Sequence, residues 1–218
     1  MYRNSRPLGP FFIFMIRYIA VHHSGGLRNL PYASTQSLSL EEINNAHQSL
    51  WPDFISSLGY YVGYNFVILK DGQLIQTRSI GEETAANKNH NFDTISVCLV
   101  GNFTPGVDTP TFQQTYVLKN LLLNIIEKRL ENYKIQSGAV IDVPIENIVP
   151  HRYLSSTTCY GSSLNDNWAR NLIIEVFQEK ISLLQKIVRA YQSLLMLIKS
   201  QNLGSLVPKS CFEENNRD

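Results

Sequence analysis

Apolar positions along this chain keep two periods, and the change from one to the other sets out its elements. Residues 16–21 form an apolar, partly β-branched run that stops at Ser24-Gly25-Gly26, which predicts a buried strand ending in a loop. Residues 61–69 predict a second strand. Lys70-Asp71-Gly72 is a hairpin turn signal, and residues 73–78 are its return strand. Residues 94–100 are a further apolar strand, stopped by Gly101-Asn102. Between these the period changes. Ser39-Leu40-Glu41-Glu42 is a capping box, and Ile43, His47 and Leu50 follow at helical spacing. From 111 to 133 the apolar residues Phe112, Tyr116, Leu118, Leu122, Ile125 and Leu130 predict the longest helix of the core domain. Residues 141–149, broken by Pro144, read as a loop or short edge strand leading into His151. Strands alternating with helices give an α/β class, with a mixed central sheet flanked by helices.

The end of the chain keeps one period only. Residues 168–198 contain neither Gly nor Pro, and Ile174, Phe177, Ile181, Leu184, Val188, Tyr191, Leu195 and Ile198 step by three and four in turn. That is a heptad seam on a long C-terminal helix. A second stripe (Ile173, Val176, Leu183, Ile187, Leu194, Leu197) widens the apolar face. The helix either packs on its own domain or makes a coiled coil and hence a homo-oligomer; a helix this long overhangs a small domain, which favours the second. The expected organisation is an N-terminal extension at 1–14, a core domain at 15–165, the amphipathic helix at 166–200 and a disordered tail at 201–218.

Composition narrows the partners. The net charge is +1 over 218 residues, so nothing marks a nucleic-acid phosphate backbone as a partner. Three cysteines, Cys98, Cys159 and Cys211, are too few and too odd for a disulfide framework, and suit a reducing compartment. No unbroken apolar run is long enough to span a bilayer, so no transmembrane segment is expected. The first residues lack the cleavage site of a signal peptide. Synthesis in the cytoplasm is therefore expected, with Met15 an alternative start to Met1.

Chemistry concentrates in two places. His151 and Cys159 stand eight residues apart in a stretch bounded by Pro150 and Gly161. Imidazole nitrogen and thiolate sulfur are zinc donors, and a catalytic zinc takes three protein ligands and leaves one position for water. The candidate third donor lies in Ile19-Ala20-Val21-His22-His23-Ser24, at the end of a predicted strand, where loops converge into sites. His22 and His23 are adjacent, so on a strand they face opposite ways and at most one is a ligand. His47 reads as structural, His90 as solvated, and Cys98 as a small core residue.

Taken together these stretches resemble the zinc-dependent N-acetylmuramoyl-L-alanine amidases of the second type, the family shared by bacteriophage amidase lysozymes and peptidoglycan recognition proteins. The likeness is carried by the strand ending in His22, by Val62-Gly63-Tyr64-Asn65-Phe66 with Asp71-Gly72, by Asn91-Phe92-Asp93 with Gly101-Asn102-Phe103, and by His151-Arg152 with Thr157-Thr158-Cys159-Tyr160-Gly161. It covers roughly residues 15–165. It implies His22, His151 and Cys159 as Zn2+ ligands, and Tyr64 as the tyrosine beside the zinc water. Thr157 matches a position that is Lys in phage enzymes and Thr in many recognition proteins. The implied reaction is hydrolysis of the amide between the muramic acid lactyl group and L-alanine of the peptidoglycan stem, with Tyr64 and Thr157 stabilising the oxyanion. Action on the cell wall would follow release, as for an endolysin. The rival is a non-catalytic peptidoglycan receptor of the same fold; such proteins typically lack the Cys ligand.

Two positions depart from the family pattern. Tyr160 stands where the family often has Pro, which is expected to loosen the loop after Cys159. Ala86 stands where the family often has a substrate-side His, five residues before Asn91. Cys159 itself points away from the related amidases that use Asp as third ligand.

Overall fold

The structure, a computed structural model, describes residues 13–204. Most of the expected N-terminal extension, the expected tail beyond residue 204 and Cys211 lie outside them. Element order is β1 (Phe14–Ile16), β2 (Tyr18–His23), α1 (Leu40–Leu50), β3 (Phe66–Ile68), β4 (Leu74–Gln76), β5 (Thr94–Leu99), α2 (Phe112–Ile126), β6 (Ala139–Ile141), β7 (Ile148–Pro150), α3 (His151–Leu154) and α4 (Trp168–Gly204). The class is α/β with a mixed central sheet, as the alternation of periods predicts. Five strands run in the order β4-β3-β5-β2-β7, while β1 and β6 pair separately. Within the larger sheet only the β3–β4 pair is antiparallel. That pair is the hairpin announced by Asp71-Gly72, where Gly72 adopts φ 89°.

The central strands are buried on both faces, which accounts for their unbroken apolar runs. Ile19, Ala20, Val21, Val97, Cys98 and Leu99 are fully buried. Helix α1 begins with the expected capping box, Ser39 accepting from the Glu42 amide and Glu42 accepting from the Ser39 amide. Thr111 and Gln114 make a second one at the start of α2. Gln114 also donates to the carbonyls of Ile68 and Val100, tying α2 to the sheet.

Several elements are shorter than their patterns predict, two of them for reasons the hydrogen bonds show. Helix α2 stops at Ile126 because Lys128 turns left-handed at φ 57°. The Lys128 amide then donates to Ile125 and the Arg129 amide to Asn124, a Schellman closure. Gly is the usual residue there; Lys gives no warning. The run at 61–69 is strand only from Phe66. Its first part is taken by other partners: the amide of Tyr61 donates to Asn44 and that of Gly63 to the His47 ring, while the Gly63 carbonyl accepts from Ala85.

Residue contacts divide the chain into two compact units with the boundary between Ile174 and Glu175, inside α4. The opening of α4 belongs to the first unit, where Ala169 and Ile173 are buried. From Ile181 onward the large apolar side chains are exposed, among them Ile187 at 55% and Leu194 at 53%. Absence of an unbroken apolar run does not settle the membrane question. Over Trp168–Gln201, α4 is long and apolar enough to cross a bilayer by length and composition. A wide apolar stripe sets that average despite polar interruptions, which a search for an unbroken run passes over.

Candidate metal centre

Sheet register decides which side chains meet. Strands β2 and β7 are parallel, and Val21 lies opposite Pro150. The next residues along the chain are His22, still on β2, and His151, the first residue of α3, both at the carboxyl ends where parallel sheets hold their ligands. Their rings lie 4.5 Å apart between centroids. After the single turn of α3 the chain returns, and Cys159 Sγ comes within 3.8 Å of His22 Nδ1. Donor atoms of His22, His151 and Cys159 all lie within 4.8 Å of one another, the arrangement a single metal ion requires. Of the three, His22 is 1% and Cys159 8% exposed, while His151 is half-buried.

The donor set fits zinc, and one further observation bears on that fit. The Nε2 atom of His22 is buried and has no hydrogen-bond partner. It is the nitrogen of that ring turned from Cys159, so the place of a shared ion falls to Nδ1, which faces Sγ. Protonation states suit metal binding as well. Burial, and then the neighbouring His151 and His23, hold His22 well below its ordinary pKa. Burial alone lowers His151. Both rings are therefore neutral at physiological pH and offer lone pairs. Burial pushes the Cys159 thiol up to about 12, opposed by the His23 amide, which donates to Sγ at 3.4 Å, and by Arg152. A bound cation reverses that balance, because a coordinated thiol gives up its proton.

The loop that carries Cys159 is held from two sides. Arg152 donates to Asp166 Oδ1, to the carbonyl of Gly161 at 2.9 Å and to that of Leu164 at 2.7 Å. Its guanidinium also lies over the Tyr160 ring, 5.2 Å from the centroid. Tyr160 is fully buried, and its hydroxyl donates to the carbonyls of Asn165 and Asp166. The expectation that Tyr160 loosens this loop is thus corrected: a buried aromatic with a bonded hydroxyl anchors it. Arg152 is a positioning residue that the sequence offered only as the neighbour of a ligand.

His23 turns away, as alternation on a strand requires. Its Nδ1 accepts from the Phe103 amide at 3.0 Å, and burial, then Arg152 and His151, lower its pKa to about 4. Tyr64 packs on His22 with ring centroids 5.1 Å apart. Burial, then the thiols of Cys98 and Cys159, raise its phenol well above the ordinary value, so it stays protonated. His47 stacks near Tyr64 and accepts from Gly63, which is a structural role. His90 is half-exposed and pairs with Asp93 rather than being simply solvated.

A groove of about 450 Å³ opens beside the donors, lined by Trp51, Ala86, Asn87, Asn91, His151 and Thr157 among others. Among the described residues no Asp or Glu lines it. Thr157 is exposed on its wall, and its Oγ1 accepts from the Cys159 amide at 3.3 Å. Asn91 braces the opposite wall: its Oδ1 accepts from the amides of Ala86 and Asn87. Ala86 leaves that wall without the imidazole the family often places there.

Comparison with known proteins agrees with this geometry. The family described as N-acetylmuramoyl-L-alanine amidase matches residues 14–162. Peptidoglycan-recognition protein SC2 of Drosophila simulans is 27% identical over 150 residues, covering 68% of this chain and 70% of that protein. The protein of the same name from Drosophila melanogaster matches equally. Among solved structures, the Ph2119 endolysin from a Thermus scotoductus bacteriophage superposes with a TM-score of 0.51 at 20% identity, covering 78% of this chain and 93% of that one. N-acetylmuramoyl-L-alanine amidase LysC from Clostridium intestinale gives 0.50 at 19% identity, covering 78% and 87%. At such identities these structures speak for the fold, and the family match covers both ligand-bearing segments. The chain belongs to the N-acetylmuramoyl-L-alanine amidases of the second type, the family its motifs resemble.

Proposed function

We propose that this chain is a zinc hydrolase that cleaves the amide between N-acetylmuramic acid and L-alanine in peptidoglycan. The observation that carries the reading is the meeting of two neutral imidazoles and one thiol within 4.8 Å, beside an open groove. His22, His151 and Cys159 would hold the ion. When bound, zinc supplies a Lewis acid for the scissile carbonyl and lowers the pKa of water at its open position.

The chain's own groups do the rest. The His23 amide, donating to Cys159 Sγ, favours the thiolate. Tyr64 keeps its proton and can therefore donate to the oxygen on which charge develops. Thr157 Oγ1 already accepts from the Cys159 amide, which leaves its O–H to donate toward the substrate. With no carboxylate among the described residues of the groove wall, Tyr64 is the group that would orient the attacking water.

The likeness to a peptidoglycan-recognition protein supports a second reading, in which the groove binds muropeptide without cleaving it. Mass spectrometry of defined muropeptides separates the two. Hydrolysis releases free stem peptide, stops with a chelator and returns with zinc. Binding without release favours the receptor, and release untouched by chelation overturns the zinc mechanism. The likeness to a phage endolysin supports action on the wall after lysis. Lysis of cells only when the protein is added from outside or with a membrane-opening partner tests that placement.

A further inference from the structure

We propose that helix α4 over residues 180–201 docks in the plane of an anionic phospholipid membrane, with its apolar face in the acyl boundary and Lys186 and Arg189 toward the headgroups. The first observation is the distribution of side chains. Leu184, Ile187, Tyr191, Leu194, Leu195 and Ile198 fall on one side of the helix, and with their neighbours cover about half its circumference. All six are at least 40% exposed. Ser182, Gln185, Lys186, Arg189, Gln192 and Ser193 occupy the other side.

The second observation is charge. Between residues 180 and 201 the charged side chains are Lys180, Lys186, Arg189 and Lys199, and there is no Asp or Glu. The chain as a whole is nearly neutral, so this one-signed stretch is a local feature. A broad apolar face, backed by a polar one whose charges are Lys186 and Arg189, matches an anionic lipid surface.

Charge also decides between this occupant and a second copy of the chain. If Ile181, Leu184, Val188, Tyr191, Leu195 and Ile198 formed a coiled-coil seam, the flanking positions would be Gln185, Gln192 and Lys199 on one side and Lys180, Ile187 and Leu194 on the other. Coiled coils choose partners by pairing opposite charges at those positions. Here every flanking charge is basic, so two copies offer each other no complementary pair. Apolar Ile187 and Leu194 at flanking sites also make the face wider than a two-stranded seam uses. The helix is long and apolar enough to span a bilayer. Spanning, however, would place Lys186 and Arg189 near the middle of the hydrocarbon, whereas lying in the interface leaves both at the headgroups.

The test uses the full chain and two kinds of vesicle, one of phosphatidylcholine alone and one of phosphatidylcholine with phosphatidylglycerol in equal parts. Cosedimentation is expected with the anionic vesicles only, weakening as salt rises. Removing charge with K186Q and R189Q together should lower the anionic partition roughly twentyfold or more, at about fivefold per charge. I187E with L194E should abolish it. Circular dichroism and thermal unfolding of both variants establish that the fold is intact. Equal binding to neutral vesicles, or none to either, overturns the proposal. So does a lipid-insensitive oligomer in light scattering that I187E with L194E dissolves, which assigns the face to a second copy. Resistance of bound protein to extraction by high salt and alkaline carbonate overturns the in-plane placement.

Discussion

The hydroxyl of Tyr160 donates to the carbonyl oxygen of Asn165 across 2.8 Å, and this bond ties the residue after a metal donor to the far end of its own loop. The ring between them is stacked by Arg152 on one side and meets Trp168 edge-on at 5.8 Å. Rigidity that a proline could supply through its ring comes here from burial and from the hydroxyl's donation to the carbonyls of Asn165 and Asp166.

Tyr160→Phe should therefore lower stability by about 1 kcal/mol, the net worth of a neutral hydrogen bond. Tyr160→Ala should cost about 3–5 kcal/mol by emptying a buried aromatic site. Urea unfolding with a zinc titration checks both. The Phe variant should retain zinc stoichiometry, and the Ala variant should bind zinc more weakly.

The proposed metal donors and the proposed oxyanion stabiliser should separate in their effects. His22→Ala and Cys159→Ala should lose stoichiometric zinc and peptide release together. Tyr64→Phe should keep the metal and reduce kcat roughly a hundredfold or more, as loss of one oxyanion donor does. Elemental analysis beside muropeptide kinetics reads the split; a Tyr64→Phe enzyme of normal kcat would remove that residue from the mechanism.

Arg78 should be a major stabiliser, although it touches no donor. It is 1% exposed, donates to the carbonyls of Val62, Phe54 and Glu83, lies 3.9 Å over the Phe54 ring and pairs with Glu82. Arg78→Met leaves those carbonyls without their donor, while Glu82 keeps its bonds from Ser57 and Ser79, and should cost about 1–3 kcal/mol. Thermal and urea unfolding of the variant measure the loss.

Asp108 gives the fold an acid-sensitive tie. Burial pushes its carboxyl up, but donation from Ser34 Oγ at 2.6 Å and from the amides of Asn102 and Thr35 outweighs burial and leaves the pKa below the ordinary value. With the folded pKa depressed, the stabilisation is complete above the unfolded value of about 3.9. It is lost as pH falls through the folded value. Asp108→Asn should cost about 1–3 kcal/mol at neutral pH and flatten the acid limb of the stability curve. Urea midpoints at pH 7 and in the acid limb test the sign.

Residue types were legible in the sequence where they carry chemistry by themselves. His, Cys and Tyr at their positions named a candidate site, and the capping box at Ser39 placed α1 at its observed start. Pairing between distant segments was not legible. Nothing local tells that Val21 lies opposite Pro150, yet that register brings His22 beside His151. Side chains that serve the backbone were missed for the same reason. Lys128 ends a helix where Gly is usual, and Arg152 and Tyr160 hold a loop through carbonyls that any sequence could present. Their signal is geometric and appears only once the chain has folded.

His22 and Cys159 stand 137 positions apart, and β2 lies between β5 and β7, both of which follow it in the chain. Synthesis from the N-terminus therefore delivers one donor early and the other two close together near the end of the domain. A ribosome that has made the first 150 residues has made a chain with His22 and no partner donor. The donor set is in this way completed late in biosynthesis, and a truncated product carries only part of it.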